Sequence, residues 1–283
     1  MRGIFRQLTP DKLVLAVFGF LIGIVTNLVS DFFPQLGQTA ILLLMAITAI
    51  IGIVVLAIRA RAQRVRVVIN RFVTLRLPEE REREARRGLI VFVSLYSEVK
   101  RKPEERLPPE AALAAAKNLD YGKLSFEVSN LQPAIEAIVS HRSRLDYCWL
   151  ISTTASDPAA AVSLPYAPVL CRYLTAERGV DCTFFGDKDS RYAVPLDDDG
   201  EVTIKTRDIV ARIFKEASEL GLKEDDIVAD FTGGLRSMTL GMILACLDRG
   251  RDIQFQGTHY DENGKQQDLF PLLFDFGVEI MPD

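Results

Sequence analysis

The chain is poor in the residues that build metal and disulfide sites. Its 283 residues include two histidines, His141 and His259, and four cysteines. No cysteine pair has the C-x-x-C spacing and no histidine shares a ligand spacing with one, which argues against a structural metal. Cys148, Cys171, Cys182 and Cys246 lie in apolar stretches and read as reduced core residues of a cytosolic domain. Two phosphate-binding motifs are missing as well. No G-x-G-x-x-G follows the first strand-like run, against an ordinary NAD site, and no G-x4-G-K-[ST] is present, against an ATPase of the P-loop kind. Basic charge is short where nucleic acid would need it. Of 34 Lys and Arg and 38 acids, residues 1–76 hold nine bases and two acids, which leaves 25 bases against 36 acids in the remainder. Affinity for long DNA or RNA comes mainly from bases meeting phosphates, so that remainder is a poor partner for either. A small anion held by backbone N–H groups is still allowed.

Long apolar runs are confined to the first 58 residues. Leu13–Ser30 and Ala40–Ile58 are each about long enough to cross a hydrocarbon core of ~30 Å. Pro34 and Gly37 supply a turn between them, so the pair reads as a transmembrane helical hairpin. Arg2, Arg6 and Lys12 precede the first span, six arginines from Arg59 to Arg76 follow the second, and the connecting loop has no Lys or Arg. The positive-inside rule puts both termini in the cytoplasm, which makes this a two-span inner-membrane protein. Thr26, Asn27 and Thr48 are the clearly polar residues at membrane depth. They are candidates either for lining a pore or for packing helix on helix. Two helices cannot enclose a pore, so a pore needs several chains. Arg59–Leu77 mixes arginines with Val65, Val68, Ile69, Phe72 and Val73 and is expected to continue the second span as a helix, with its arginines against anionic headgroups. Pro78 and the acids after it open a short charged helix over 78–87. Residues 59–87 thus form a basic helical connector to a cytosolic domain over 88–283.

That domain alternates strands and helices. Leu89–Leu95 is a continuous apolar run, expected as a buried central strand. An exposed loop over Glu98–Glu110, a short helix over Ala111–Lys117 and a minor strand over Lys123–Val128 follow. Asn130–Arg142 is a predicted helix capped by Ser129 or Asn130, and Tyr147–Ser152 the second main strand. Further strands are expected over Asp181–Gly186, Asp226–Phe231 and Asp252–Gly257, with a terminal strand or hairpin over Asp268–Gly277. Helices are expected over Pro165–Arg178, Thr203–Leu220 and Leu235–Asp248. Such alternation implies an α/β fold with a mostly parallel sheet covered on both faces.

Ligands of such sheets bind beyond the carboxyl ends of the strands, where the strand order reverses. The residues expected there are small or polar: Ser94 and Ser97, then Ser152, Thr153 and Thr154, then Gly186, then Thr232, Gly233, Gly234, Arg236 and Ser237. With Asn130 they form the candidate ligand set. The Thr232-Gly233-Gly234 turn stands out, because it follows a strand and opens a helix whose first N–H groups suit a phosphate. The same turn also serves as a plain strand-to-helix link that binds nothing.

Asn130–His141 leading into Cys148–Thr153, and Asp230-Phe231-Thr232-Gly233-Gly234-Leu235-Arg236-Ser237-Met238, resemble the CRISPR-associated Rossmann fold, or CARF, domain. That family carries a strand, then TGG, a basic residue two places on and a Met beyond. The resemblance covers about residues 88–283, and its departure is the long insertion between Leu95 and Asn130. It implies a sensor of cyclic oligoadenylate, the messenger of type III CRISPR systems, with no catalytic residues, no metal and no cofactor beyond that ligand. It further implies a CARF dimer, within a tetramer or larger homo-oligomer. Ser152 and Thr153 would contact the ring beside Thr232, Gly233, Gly234 and Arg236. Neither histidine follows an arginine at the spacing of the HEPN ribonucleases, so the membrane hairpin is the expected effector, opening a pore and depolarising the cell in antiviral defence. Two other readings stay open. One is a membrane-tethered ring nuclease that cleaves the messenger. The other is a Rossmann regulator of a membrane partner that senses a different nucleotide.

Overall fold

A computed structural model describes residues 64–247, 251–262 and 266–281. The chain divides into two units, Val65–Ile280 and a second made of Met1–Arg64 with Met281–Asp283. The expected membrane spans, with Thr26, Asn27 and Thr48, lie outside the described residues. Among the described residues no helix is long and apolar enough to cross a membrane.

In chain order the elements are β1 (Arg64–Thr74), α1 (Pro78–Glu84), β2 (Gly88–Phe92), α2 (Pro109–Lys117), α3 (Gln132–His141), β3 (Tyr147–Thr154), α4 (Ala167–Arg178), β4 (Thr183–Phe185), β5 (Ala193–Pro195), α5 (Asp199–Glu219), β6 (Ile227–Asp230), α6 (Arg236–Leu247), β7 (Ile253–Tyr260) and β8 (Gln266–Met281). One sheet runs β1-β8-β7-β6-β2-β3-β4, with β5 paired to the end of β3. The pairs β2–β3, β2–β6, β3–β4, β3–β5 and β6–β7 are parallel, and β7–β8 is antiparallel. The expected α/β fold with a mostly parallel sheet is therefore observed.

β2 is the middle of the parallel strands β7-β6-β2-β3-β4, and all five of its residues are buried, as a strand covered on both faces requires. Its side chains alternate between two cores. Leu89 and Val91 face a cluster with Ile135 and Ile138 of α3 and Leu170 and Leu174 of α4. Ile90 and Phe92 face the other, with Ile209, Ile213 and Phe214 of α5 and Met238 and Met242 of α6. In α5 the buried positions recur at helical spacing, and Asp198 caps its start by accepting from the Gly200 N–H at 2.8 Å. α6 crosses α5 at Gly241, where a Cβ would strike the Thr203 carbonyl oxygen and stand 2.7 Å from Thr206 Cβ. Thr203 Oγ1 also donates to the Ser237 carbonyl at 3.1 Å, which fixes the first turn of α6.

Two expectations give way. The helical connector does not hold over 64–74, which is β1, the edge strand beside β8. The β-branched Val68, Ile69 and Val73 suit a strand once β8 offers an edge, and Phe72 packs on Phe274 at 4.9 Å between ring centroids. The charged helix that follows ends at Glu84 rather than at 87. Lys123–Val128 is not a strand but parts of two 3-10 turns, Tyr121–Lys123 and Phe126–Val128. The insertion that holds them is ordered around buried Glu98, which accepts from Tyr96 Oη at 3.0 Å, the Leu107 N–H at 2.9 Å and Arg101 at 3.2 Å.

Candidate functional site

From β2 the chain steps through β3 to β4 on one side, then returns through β6 to β7 on the other. The order reverses between β2 and β6, so the crevice sits beyond their carboxyl ends. Its walls are Ser94 after β2 and the turn 231–236 after β6. Gly234 in that turn has φ of +79°, which an L side chain rarely adopts, and a Cβ there would meet the Phe92 ring at 3.0 Å. Its N–H points to Ser94 Oγ at 3.4 Å. Arg236 opens α6, is exposed, and has no ion pair among the described residues. The opening turn of α6 offers backbone donors, so a cation and a helix N-terminus share one rim.

The structure brings together Ser94, Thr232, Gly233, Gly234, Arg236 and Ser237 from the candidate set. It commits the others elsewhere. β3 continues to Thr154 because β5 pairs with it, so Ser152 and Thr153 lie within the strand and Thr154 is its last residue. Thr153 is closed on Ser163: its N–H donates to Ser163 Oγ at 2.8 Å, its Oγ1 accepts from the Ser163 N–H at 2.8 Å, and the hydroxyls lie 3.1 Å apart. The Thr154 carbonyl accepts from the Leu196 N–H at 2.8 Å. Ser152 is fully buried and its Oγ has no hydrogen-bond partner among the described residues. Asn130 does not cap α3. Its Oδ1 accepts from the Ser97 N–H at 2.9 Å and its Nδ2 donates to the Leu95 carbonyl at 2.6 Å, which holds the chain leaving β2 and engages Ser97 in the same clasp. Gly186, with φ of +84°, packs against the Leu150 carbonyl beyond β4. It is three strand positions from β6, about 14 Å at ordinary strand spacing.

Asp230 is the residue that the motif contained but whose role its spacing did not reveal. It is fully buried at the end of β6, and burial pushes its carboxyl above the usual range while its hydrogen bonds pull it back. Oδ1 accepts from the Thr232 N–H at 2.9 Å, and Oδ2 from Nε2 of Gln254 at 3.1 Å and of Gln256 at 3.2 Å. Thr232 Oγ1 in turn accepts from the Gln256 N–H at 2.7 Å. The signal available in the sequence was Gln254 and Gln256, two polar residues on one face at the start of a strand, flanking the apolar Phe255. A cleft of about 960 Å³ lined by Phe214, Lys215, Leu222, Lys223 and Arg251 lies between α5 and the loop before β6, at the opposite end of the sheet.

The architecture is that of a doubly wound α/β domain whose strand order reverses between β2 and β6. No family model matches the chain, and no curated protein does. Among solved structures it is similar to Can2 from Sulfobacillus thermosulfidooxidans in complex with cyclic tetra-adenylate, at 10% identity and a TM-score of 0.34, over 65% of this chain and 36% of that one.

Proposed function

We propose that the chain is a membrane-anchored sensor of the CARF kind that binds cyclic oligoadenylate, the tetra-adenylate first among them, in the crevice between β2 and β6. The observation that carries this reading is the turn 231–236: a glycine at positive φ, open backbone donors and the unpaired Arg236 at one strand end. A phosphodiester ring suits such a rim, because each phosphate carries one negative charge and several acceptors. In this reading two or more chains assemble, the ring binds one arrangement of the domains more tightly than another, and the residue 1–58 hairpins respond in the bilayer.

The test is calorimetry on the full chain in lipid vesicles, titrated with cyclic tri-, tetra- and hexa-adenylate, with ion flux followed in the same preparation. One ring is expected to bind tightly, near one per two chains, and Arg236→Glu to weaken it by about 100-fold or more. Binding to no ring removes the reading. Binding without flux keeps the sensor and removes the pore.

A further inference from the structure

The bonds beneath the turn do not stop at Asp230. Gln254 Nε2 donates to Asp230, and Gln254 Oε1 lies 2.9 Å from His141 Nε2. The other ring nitrogen, Nδ1, accepts from the Arg86 N–H at 3.0 Å. That fixes the tautomer: Nδ1 is an acceptor, so Nε2 carries the proton and donates to Gln254. Gln254 is thereby oriented with its amide N–H toward Asp230. Every link has one polarity, and His141, Gln254 and Asp230 are each at most 1% exposed. Beyond His141 the path reaches the edge of the sheet. Arg86 lies 3.8 Å from Glu84, and Glu84 accepts from Arg71 of β1 at 2.6 Å. The route runs from the carboxyl end of β6 back to the residues just before β2.

We propose that His141 and Gln254 are positioning residues for the turn 231–236, acting through Asp230, so that the turn's geometry is set from the Arg86 side of the domain. A role in ligand affinity rests on the messenger reading above; the positioning of the turn does not.

Amide hydrogen exchange on the full chain tests this with no ligand present. His141→Leu deletes the middle link, while His141→Gln leaves an amide where Nε2 stands. The amides of 231–236 are expected to exchange about tenfold faster in His141→Leu, the loss of one buried hydrogen bond, and less so in His141→Gln, with α5 unchanged in both. Asp230→Asn turns an N–H toward Gln254. Gln254 must then rotate, and its own N–H meets the His141 proton. In Asp230→Asn with His141→Gln the second amide can rotate too, so the double variant is expected to exchange more slowly at 231–236 than Asp230→Asn alone. A general loss of packing would instead make the double variant worse than either single one. Unchanged exchange at 231–236 in folded His141→Leu, or a double variant no slower than Asp230→Asn, overturns the proposal. Cyclic tetra-adenylate titrations of the same proteins separate the two ideas. If wild type binds no ring, the messenger reading falls and the exchange result stands alone.

Discussion

β3 and β6 flank β2 and deliver polar residues to the same edge of the sheet, yet they use them in opposite ways. At the end of β3 the polar groups are closed on protein partners: Thr153 on Ser163 through three contacts, Thr154 on Leu196. At the end of β6 the closure lies one layer down. Asp230 and the two glutamines take up the buried polarity, and the turn above them keeps its outer face open, with Arg236 unpaired. A run of Ser and Thr at a strand end is therefore no guide to where a ligand sits. What distinguishes the two ends is how much is occupied. β5 and Ser163 close the β3 end, whereas at 231–236 the N–H groups of Phe231, Thr232 and Gly234 meet Gln254, Asp230 and Ser94, and Arg236 has no ion pair among the described residues.

The largest expected effect probes the layer beneath the β6 turn. Burial lowers the His141 pKa to about 4, against an ordinary value of 6.5, with Arg86 adding to the shift and Gln254 opposing it. Between those values the unfolded chain binds more protons, so this contribution is complete above about pH 6.5 and lost as the pH falls toward 4. In total it is about 3 kcal/mol. Asp230, raised by burial, adds a slope of the opposite sign. The His141 part is thus read as the difference between wild-type and His141→Leu urea unfolding at about pH 7 and about pH 5, and equal slopes would show that His141 does not titrate as a buried neutral ring.

The next effect tests the β3 end. Ser163→Ala strips the two bonds that Ser163 Oγ makes with Thr153, leaves the Ser163 N–H on Thr153 Oγ1, and is expected to cost about 2 kcal/mol of stability while leaving ring affinity unchanged. A loss of affinity with stability intact would move the site to β3. The smallest effect is at Ser152. Removing its buried, unpartnered hydroxyl in Ser152→Ala is expected to raise stability by about 1 kcal/mol, again without touching affinity. A fall in affinity would mean that the crevice opens far enough to reach it.

The sheet was legible where the residues speak for themselves. The runs at 89–92, 148–151 and 227–229 are apolar on both faces, so their burial and parallel pairing follow from composition. The turn 231–236 was legible too, since a Gly-Gly between a strand and a helix has few alternatives. What stayed hidden depends on partners distant in sequence. Arg64–Thr74 reads as helix until β8 supplies an edge, and nothing local to Thr153 announces Ser163. Asn130 looks like a cap, and only the fold sets it against Leu95 and Ser97. His141, dismissed as a metal ligand for want of companions, has its partners on β7 and in the segment before β2, more than 50 positions away on either side.

β1 neighbours β8 alone in the sheet, and the Leu75 N–H reaches the Pro271 carbonyl at 2.9 Å. The first described strand is therefore completed by the last. During synthesis β1 leaves the ribosome some 190 residues before its partner, with Ile69 and Phe72, both more than half exposed even in the finished fold, left uncovered. Sealing this edge waits for β8 and carries a high loop-closure cost, so nascent chains truncated before β8 carry a bare strand open to pairing with one another.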